Sequence, residues 1–356
     1  MITWLADADT FCGAKAHHLG RLLHAGFHVP DGFVVRDLRD GWQDDLARAL
    51  ARLGDIPVAV RSSARGEDGG AASFAGQLRT TLGARGPTEV LTAIQHTTAS
   101  AASRRATAYA ARTGRAVDQQ VPVLVQALVR ADAAGVAFTR HPVTGEDQVV
   151  IEAVQGLGNA LVDGNRTPAS WVVDGDTVAA RSVDPVLTEP QARALAGLAR
   201  RVEAVLGDPQ DVEWAIAGDT AWVLQARPIT THPGDTAWAP PESGDLLVAG
   251  TAASPGTATG PARVVHGFDD FGTFRPGEVL VCRTTSPAWT PLLARAAAVV
   301  TEVGGALAHA AIVAREFGIP AVVAAPRATS MLTDGRTVSV DGSRGTVHED
   351  LTAVLP

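Results

Sequence analysis

The chain has 356 residues, more than one ordinary hydrophobic core holds and enough for two domains. Its 46% apolar fraction with few aromatic residues is that of a soluble globular protein, and a formal net charge of −8 argues against nucleic acid as the main partner. No apolar run approaches the roughly 18 residues of a membrane span. The acidic start MITWLADADT lacks the basic region of a signal peptide, and Cys12 and Cys282 stand in no metal or redox spacing, so a reduced, cytoplasmic protein without a membrane partner is expected.

Lys15 stands out first, because arginine supplies every other one of the 30 Lys and Arg residues. A compact ammonium at that one place points to a site that needs a point charge instead of a broad guanidinium. Its context, GAKAHHLGRLLHAGFHVPDGFVV, predicts a loop, a helix carried by Leu19, Leu22 and Leu23, a stop at Gly26, a turn at Pro30-Asp31-Gly32 and a strand. PVAVRSSARGEDGGAASFAGQLRTTL then predicts a strand, a long Gly-rich loop and a second strand. Within that loop SFAGQ, Ser73 to Gln77, lets backbone N–H groups approach phosphate oxygens closely. Arg61, at the end of the strand VAVR, offers a two-pronged fork to phosphate.

VPVLVQALV and AGVAFTRHPVT predict two more strands, and VVIEAVQGLGNALVDG a strand followed by a Gly-rich turn. QARALAGLARRVEAVLG has the period of an amphipathic helix stopped by Gly207. QDVEWAIAGDTAWVLQARPIT reads as a β-hairpin around Gly218-Asp219. A loop of Gly218, Asp219 and Thr220 puts Glu213 directly across from Gln225, so both side chains leave one face, with Arg227 on that face two residues on. Two oxygen donors suit Mg²⁺, which takes few protein ligands and completes its shell with water and phosphate. An ordinary polar sheet face is the alternative.

HPGDTAWAPPESGD, His232 to Asp245, has no periodicity and predicts an interdomain linker. Beyond it short strands alternate with Gly turns, up to GGALAHAAIVAREFGIP. There a strand ends near Val303, two glycines turn the chain, and a helix starts near Ala308 and stops at Gly318 with Pro320 beyond. Ile312, Val313 and Phe317 form its buried stripe. His309 falls in the first turn, where the positive end of the helix favours a neutral, nucleophilic ring and stabilises an anion placed on it. Small neighbours, Ala306, Ala308, Ala310 and Ala311, leave room for a phosphoryl group. A helix-capping or half-buried histidine is the alternative.

Together these segments resemble a known family. GAKAHHLGRLLHAGFHVPDGFVV, VAVRSSARGEDGGAASFAGQLRTTL, VLVQALVRADAAGVAFTRHPVTG and DVEWAIAGDTAWVLQARPIT look like the nucleotide-binding domain of phosphoenolpyruvate synthase, pyruvate phosphate dikinase and rifampin phosphotransferase. TTSPAWTPLLARAAAVVTEVGGALAHAAIVAREFGIPAVVA is similar to their swivelling phosphohistidine domain. The resemblance implies an α+β chain: an ATP-grasp domain over 1–231, with lobes of about 1–115 and 116–231, a linker over 232–245 and a smaller β/β/α phosphohistidine domain over 246–356. It implies that ATP gives its β-phosphoryl group to His309, leaving AMP and phosphate. Carried over by motif, Lys15, Arg61, Gly76, Thr80, Thr81, Gln126 and Arg227 would hold ATP, and Glu213 and Gln225 would hold Mg²⁺. Thr80, Thr81 and Gln126 rest on the resemblance alone.

Several positions depart from the family pattern. Ala14 replaces a usual glycine, Arg79 stands at an often acidic place, Leu307-Ala308-His309 replaces a common Thr-x-His, and Ser286 stands where Asp is frequent. The stretch from Val35 to Val58 is short, and the linker runs from the ATP domain straight into the histidine domain with no acceptor domain between them. The leading expectation is a phosphotransferase acting through His309 on a small-molecule acceptor bound at the interface of the two domains or on a partner subunit. The alternatives are a ligase or condensing enzyme that activates its substrate by phosphorylation, and a phosphocarrier or non-catalytic subunit of a dikinase.

Overall fold

The computed structural model describes residues 2–36, 42–63, 80–101, 121–157, 167–180, 185–229 and 244–350. The chain divides into two compact units, Met1–Arg140 with Gln148–Gly158 and Trp171–Thr230, and Thr231–Pro356 with His141–Asp147 and Asn159–Ser170. Of the expected linker, residues 232–243 lie outside the described residues.

The first unit is built on two sheets. One is antiparallel and has five strands, ordered β1 (Ile2–Trp4), β2 (Gly32–Val35), β5 (Val123–Ala127), β3 (Val58–Ser62) and β4 (Thr81–Ala84). Its one face carries Phe33, Val58, Val60 and Val125 against two helices, α2 (Trp42–Leu53) and α3 (Gly86–Ala101). α2 forms because Trp42, Leu46, Ala49 and Leu50 recur on a single helical stripe, with Asp44 and Asp45 at its positive end and Arg52 at its negative end. The other face contributes Val34 and Leu124 to a second core, shared with Leu19 and Leu22 of α1 (Ala14–His24).

That second core is closed by the six-stranded sheet, ordered β11 (Thr220–Pro228), β10 (Gln210–Ala217), β6 (Ala133–Phe138), β7 (Val149–Gln155), β8 (Ala169–Asp174) and β9 (Thr177–Ala180). Helix α4 (Glu189–Leu206) covers it. Its start is fixed by a Thr188–Gln191 capping box and its end by Gly207 in the left-handed conformation, as the glycine stop predicts. β5 pairs with β2 and β3, so the first sheet keeps the chain as far as Ala127. Both VLVQA and AAGVAF are apolar runs, and only long-range pairing decides which sheet receives each.

In the second unit eight strands run in the order β12 (Leu246–Ala249), β19 (Thr346–Glu349), β18 (Thr337–Asp341), β14 (Thr257–Val264), β15 (Val279–Cys282), β16 (Ala298–Thr301), β17 (Ala321–Val323) and β13 (Thr251–Ser254). β14 to β17 are parallel neighbours. Val279 to Cys282 and Ala298 to Thr301 are buried along their whole length, the continuous apolar run of a covered parallel strand. Helix α5 (His309–Phe317) connects β16 to β17, so its first residue follows the carboxyl end of a parallel strand, where ligand sites of such sheets lie. Among the described residues no helix is long and apolar enough to cross a membrane.

Candidate active site

The β10–β11 hairpin places the first group. Its turn has two residues, Gly218 and Asp219, with Ala217 opposite Thr220, not the three-residue loop expected. A shift in register between Glu213 and Trp214 adds back one residue on β11, so Glu213 does pair with Gln225. Alternation sends Val212, Trp214, Val223 and Ala226 into the core. It leaves Asp211, Glu213, Gln225 and Arg227 on the opposite face.

Arg61, from β3 in the other sheet, reaches this face. Its Nη1 donates to Glu213 Oε2 at 3.0 Å and to Gln225 Oε1 at 3.4 Å, so two oxygens from adjacent strands converge on one positive group. The Nε of Arg61 is buried and has no hydrogen-bond partner among the described residues. A buried donor left open in this way marks a place where a further acceptor fits. Beside it Arg227 is held by its cross-strand partner Asp211, with Nε and Nη2 at 2.9 and 2.7 Å from Oδ2. Asp211 went unnoticed in the sequence, although hairpin counting places it opposite Arg227 and on the face of Glu213.

Lys15 is the second residue of α1, and it is buried. The helix starts at Gly13, whose φ of +86° and close packing on Ser63 exclude a side chain: a Cβ there would lie 1.5 Å from the Ser63 carbonyl oxygen. The Ala16 N–H donates to Ser63 Oγ at 3.1 Å, two residues past Arg61.

Gln126 is also buried, opposite Ala59 and Gly32, and its Nε2 donates to the Pro30 carbonyl at 3.1 Å. Thr81 lies opposite Val60, whose side chain belongs to the helix-covered core, so its own side chain leaves the sheet on the face away from Arg61. Thr80 lies just before β4. Gly76 and the Ser73–Gln77 loop lie outside the described residues.

His309, in the other unit, opens α5. Its ring is 5% exposed, more crowded than its small sequence neighbours suggest. Thr285 Oγ1 lies 2.9 Å from Nδ1 and Thr290 Oγ1 3.3 Å from Nε2, so two hydroxyls from a segment 19 to 24 residues upstream fill the space. The Thr290 hydroxyl also donates to the Pro287 carbonyl at 2.9 Å. With its one proton spent there, the Thr290 hydroxyl accepts from Nε2–H. Arg315 ties down the approach to the histidine, donating to the carbonyls of Ala306 at 2.6 Å and Ala253 at 2.8 Å. Cys12 and Cys282 are free and buried, and burial pushes both thiols up, so neither is a reactive thiolate.

Residues 36–185 and 176–244 match the family model "Pyruvate phosphate dikinase, AMP/ATP-binding domain", and residues 274–345 match "PEP-utilising enzyme, mobile domain". The chain is 35% identical to a probable phosphoenolpyruvate synthase of Archaeoglobus fulgidus over 98% of its own length and 58% of the relative's. It is 39% identical to a probable phosphoenolpyruvate synthase of Methanothermobacter thermautotrophicus, over 96% of this chain and 62% of that one. The phosphoenolpyruvate synthase of Escherichia coli is 32% identical over 93% of this chain and 48% of its own. The chain thus spans about three fifths of the first two relatives. With the ATP-binding model covering more than half of its residues, the chain belongs to the pyruvate phosphate dikinase and phosphoenolpyruvate synthase family, pairing the family's AMP/ATP-binding domain with its mobile domain.

Proposed function

We propose that the protein is an ATP-dependent phosphotransferase that phosphorylates His309 with the β-phosphoryl group of ATP, releasing AMP and phosphate, and passes the group to a small-molecule acceptor. The observation that carries this reading is the convergence of Glu213 and Gln225 oxygens on Arg61, whose Nε is left open. That arrangement fits an anionic ligand together with a hard cation. Lys15, Arg61 and Arg227 bind the phosphates, with Gln126 and Thr80 at the flank, and Glu213 and Gln225 hold Mg²⁺. The metal supplies charge neutralisation for the polyphosphate. Among the described residues no three acidic, His or Cys side chains gather to hold a metal alone, which agrees with an ion completed by phosphate and water. A cytoplasmic location, where ATP meets reduced thiols, belongs to the same proposal.

In the chemical step a lone pair of the His309 ring forms the N–P bond as the bond from the β-phosphorus to its AMP oxygen breaks, and water then cleaves the β–γ bridge, releasing phosphate and leaving one phosphoryl group on the ring. One of the two threonine contacts must yield for that lone pair to become available. The test is incubation with ATP and Mg²⁺ alone. AMP and an acid-labile, base-stable phosphate on the peptide containing His309 are expected, and neither product should form with His309→Ala. Intact protein that binds ATP but yields no AMP overturns the reading.

A carrier role, with the acceptor bound on a partner subunit, is the second reading. It is favoured by the short span, residues 245–273, between the two matched regions, which leaves no room for an acceptor domain there. Charged protein that phosphorylates a small molecule without any added subunit would remove it.

A further inference from the structure

We propose that Ser63 is a positioning residue that sets the spacing of Lys15 and Arg61 for a polyphosphate; this rests on the reading of the hairpin face as an ATP site. The first turn of α1 starts at Gly13, which has no side chain with which to cap it. The cap comes instead from Ser63, 47 residues beyond the Ala16 N–H that it accepts. Ser63 is wholly buried, so water cannot take over that bond. Its own N–H donates to the Pro122 carbonyl at 2.8 Å, anchoring it to the lead-in of β5.

The same residue bears on both cations. Arg61 lies two residues before it on one backbone, and Lys15 lies one residue before the N–H it caps. Gly13 rests on its carbonyl so closely that a Cβ would sit 1.5 Å from the oxygen and 2.4 Å from the carbon. Those are backbone atoms, which cannot swing aside, so the helix start and the strand end form a single rigid joint. Lys and Arg side chains are long and carry large rotamer freedom, so fixing their roots is what the fold can do to preorganise them for one ligand. Without the serine hydroxyl the first turn of α1 is free to lift from the strand, and Lys15 lifts with it.

A cap that only stabilises the fold would make a different prediction, and the test separates the two. Binding of ATP, inorganic tripolyphosphate and adenosine is measured on the full chain and on Ser63→Ala, Ser63→Cys and Ser63→Thr. Ser63→Cys keeps the packing with a weak acceptor, should Ser63→Ala fold poorly. Ile94→Val, in the helix-covered core, serves as a destabilised control. The expected result is a roughly tenfold loss for ATP and tripolyphosphate in the alanine and cysteine variants, recovery with threonine, and unchanged adenosine binding. Ile94→Val is expected to bind all three ligands normally. Equal losses for all three ligands, or none for any, would overturn the proposal. Wild-type protein that binds neither ATP nor tripolyphosphate would instead sink the underlying ATP-site reading.

Discussion

The two candidate sites are satisfied in opposite ways. On the hairpin face, full charges from separate strands and sheets are brought together, and a buried guanidinium nitrogen is left open. At His309 both ring nitrogens are already engaged by neutral hydroxyls, and the hydroxyl at Nε2 has a further acceptor of its own. One site presents charges and an open donor, and the other is closed by neutral contacts. Charge on rigid strands costs little to hold and attracts an anion from a distance, whereas a hydroxyl can donate or accept by rotating and so can follow a ring through a change of proton.

Substitutions sharpen that contrast, and the largest effect is expected at the histidine. His309→Ala should abolish phosphoenzyme and AMP while leaving the ATP dissociation constant unchanged, because the hairpin face lies in the other unit. Equilibrium binding and AMP release measured on the same preparation check this, and a large loss of ATP affinity would break the division of labour. Lys15→Arg should slow AMP release by well over tenfold, since a guanidinium is too broad for a point donor's place. Near-normal turnover in that variant would mean that the lone lysine is an accident of composition.

Glu213→Ala and Gln225→Ala should each raise the Mg²⁺ concentration needed for half-maximal AMP release, by several-fold, the carboxylate more than the amide. Normal titrations for both would detach the metal from this face. The smallest effect concerns stability. Burial pushes the Glu278 carboxyl up, but the forked Arg263 contact at 2.8 Å and the Arg275 N–H at 2.7 Å outweigh it, holding the group below its ordinary value of 4.5. A carboxyl depressed in the folded state contributes stability that is present above pH 4.5 and lost as pH falls toward its folded value. Glu278→Gln should therefore flatten the acid limb of unfolding for the C-terminal unit, followed by thermal melts between pH 7 and pH 3. An unchanged acid limb would show that the ion pair is neutral to folding.

The hairpin shows how far the sequence carries. Its polar alternation and turn signal sufficed to pair Glu213 with Gln225, yet the turn was counted one residue too long. A bulge supplied the missing residue, and no local signal marks where a strand will bulge. Helices α1, α4 and α5 were legible from stripes and glycine stops because their boundaries are set within a few residues. What sequence could not give was set by distant partners. The threonines against His309, the serine that caps α1 and the sheet that receives β5 each depend on pairings with chain far away in sequence.

The burial of His309 also governs what else can react with it. Imidazole is a soft target for acylating reagents and a ready ligand for stray transition metals, and both need an accessible lone pair. His96 and His266 offer exposed rings, whereas that of His309 is covered and occupied at both nitrogens. Diethyl pyrocarbonate should therefore carbethoxylate the exposed histidines first and reach His309 last. The threonine contacts thus act as a chemical shield over the His309 ring, admitting only a reagent that displaces one of them.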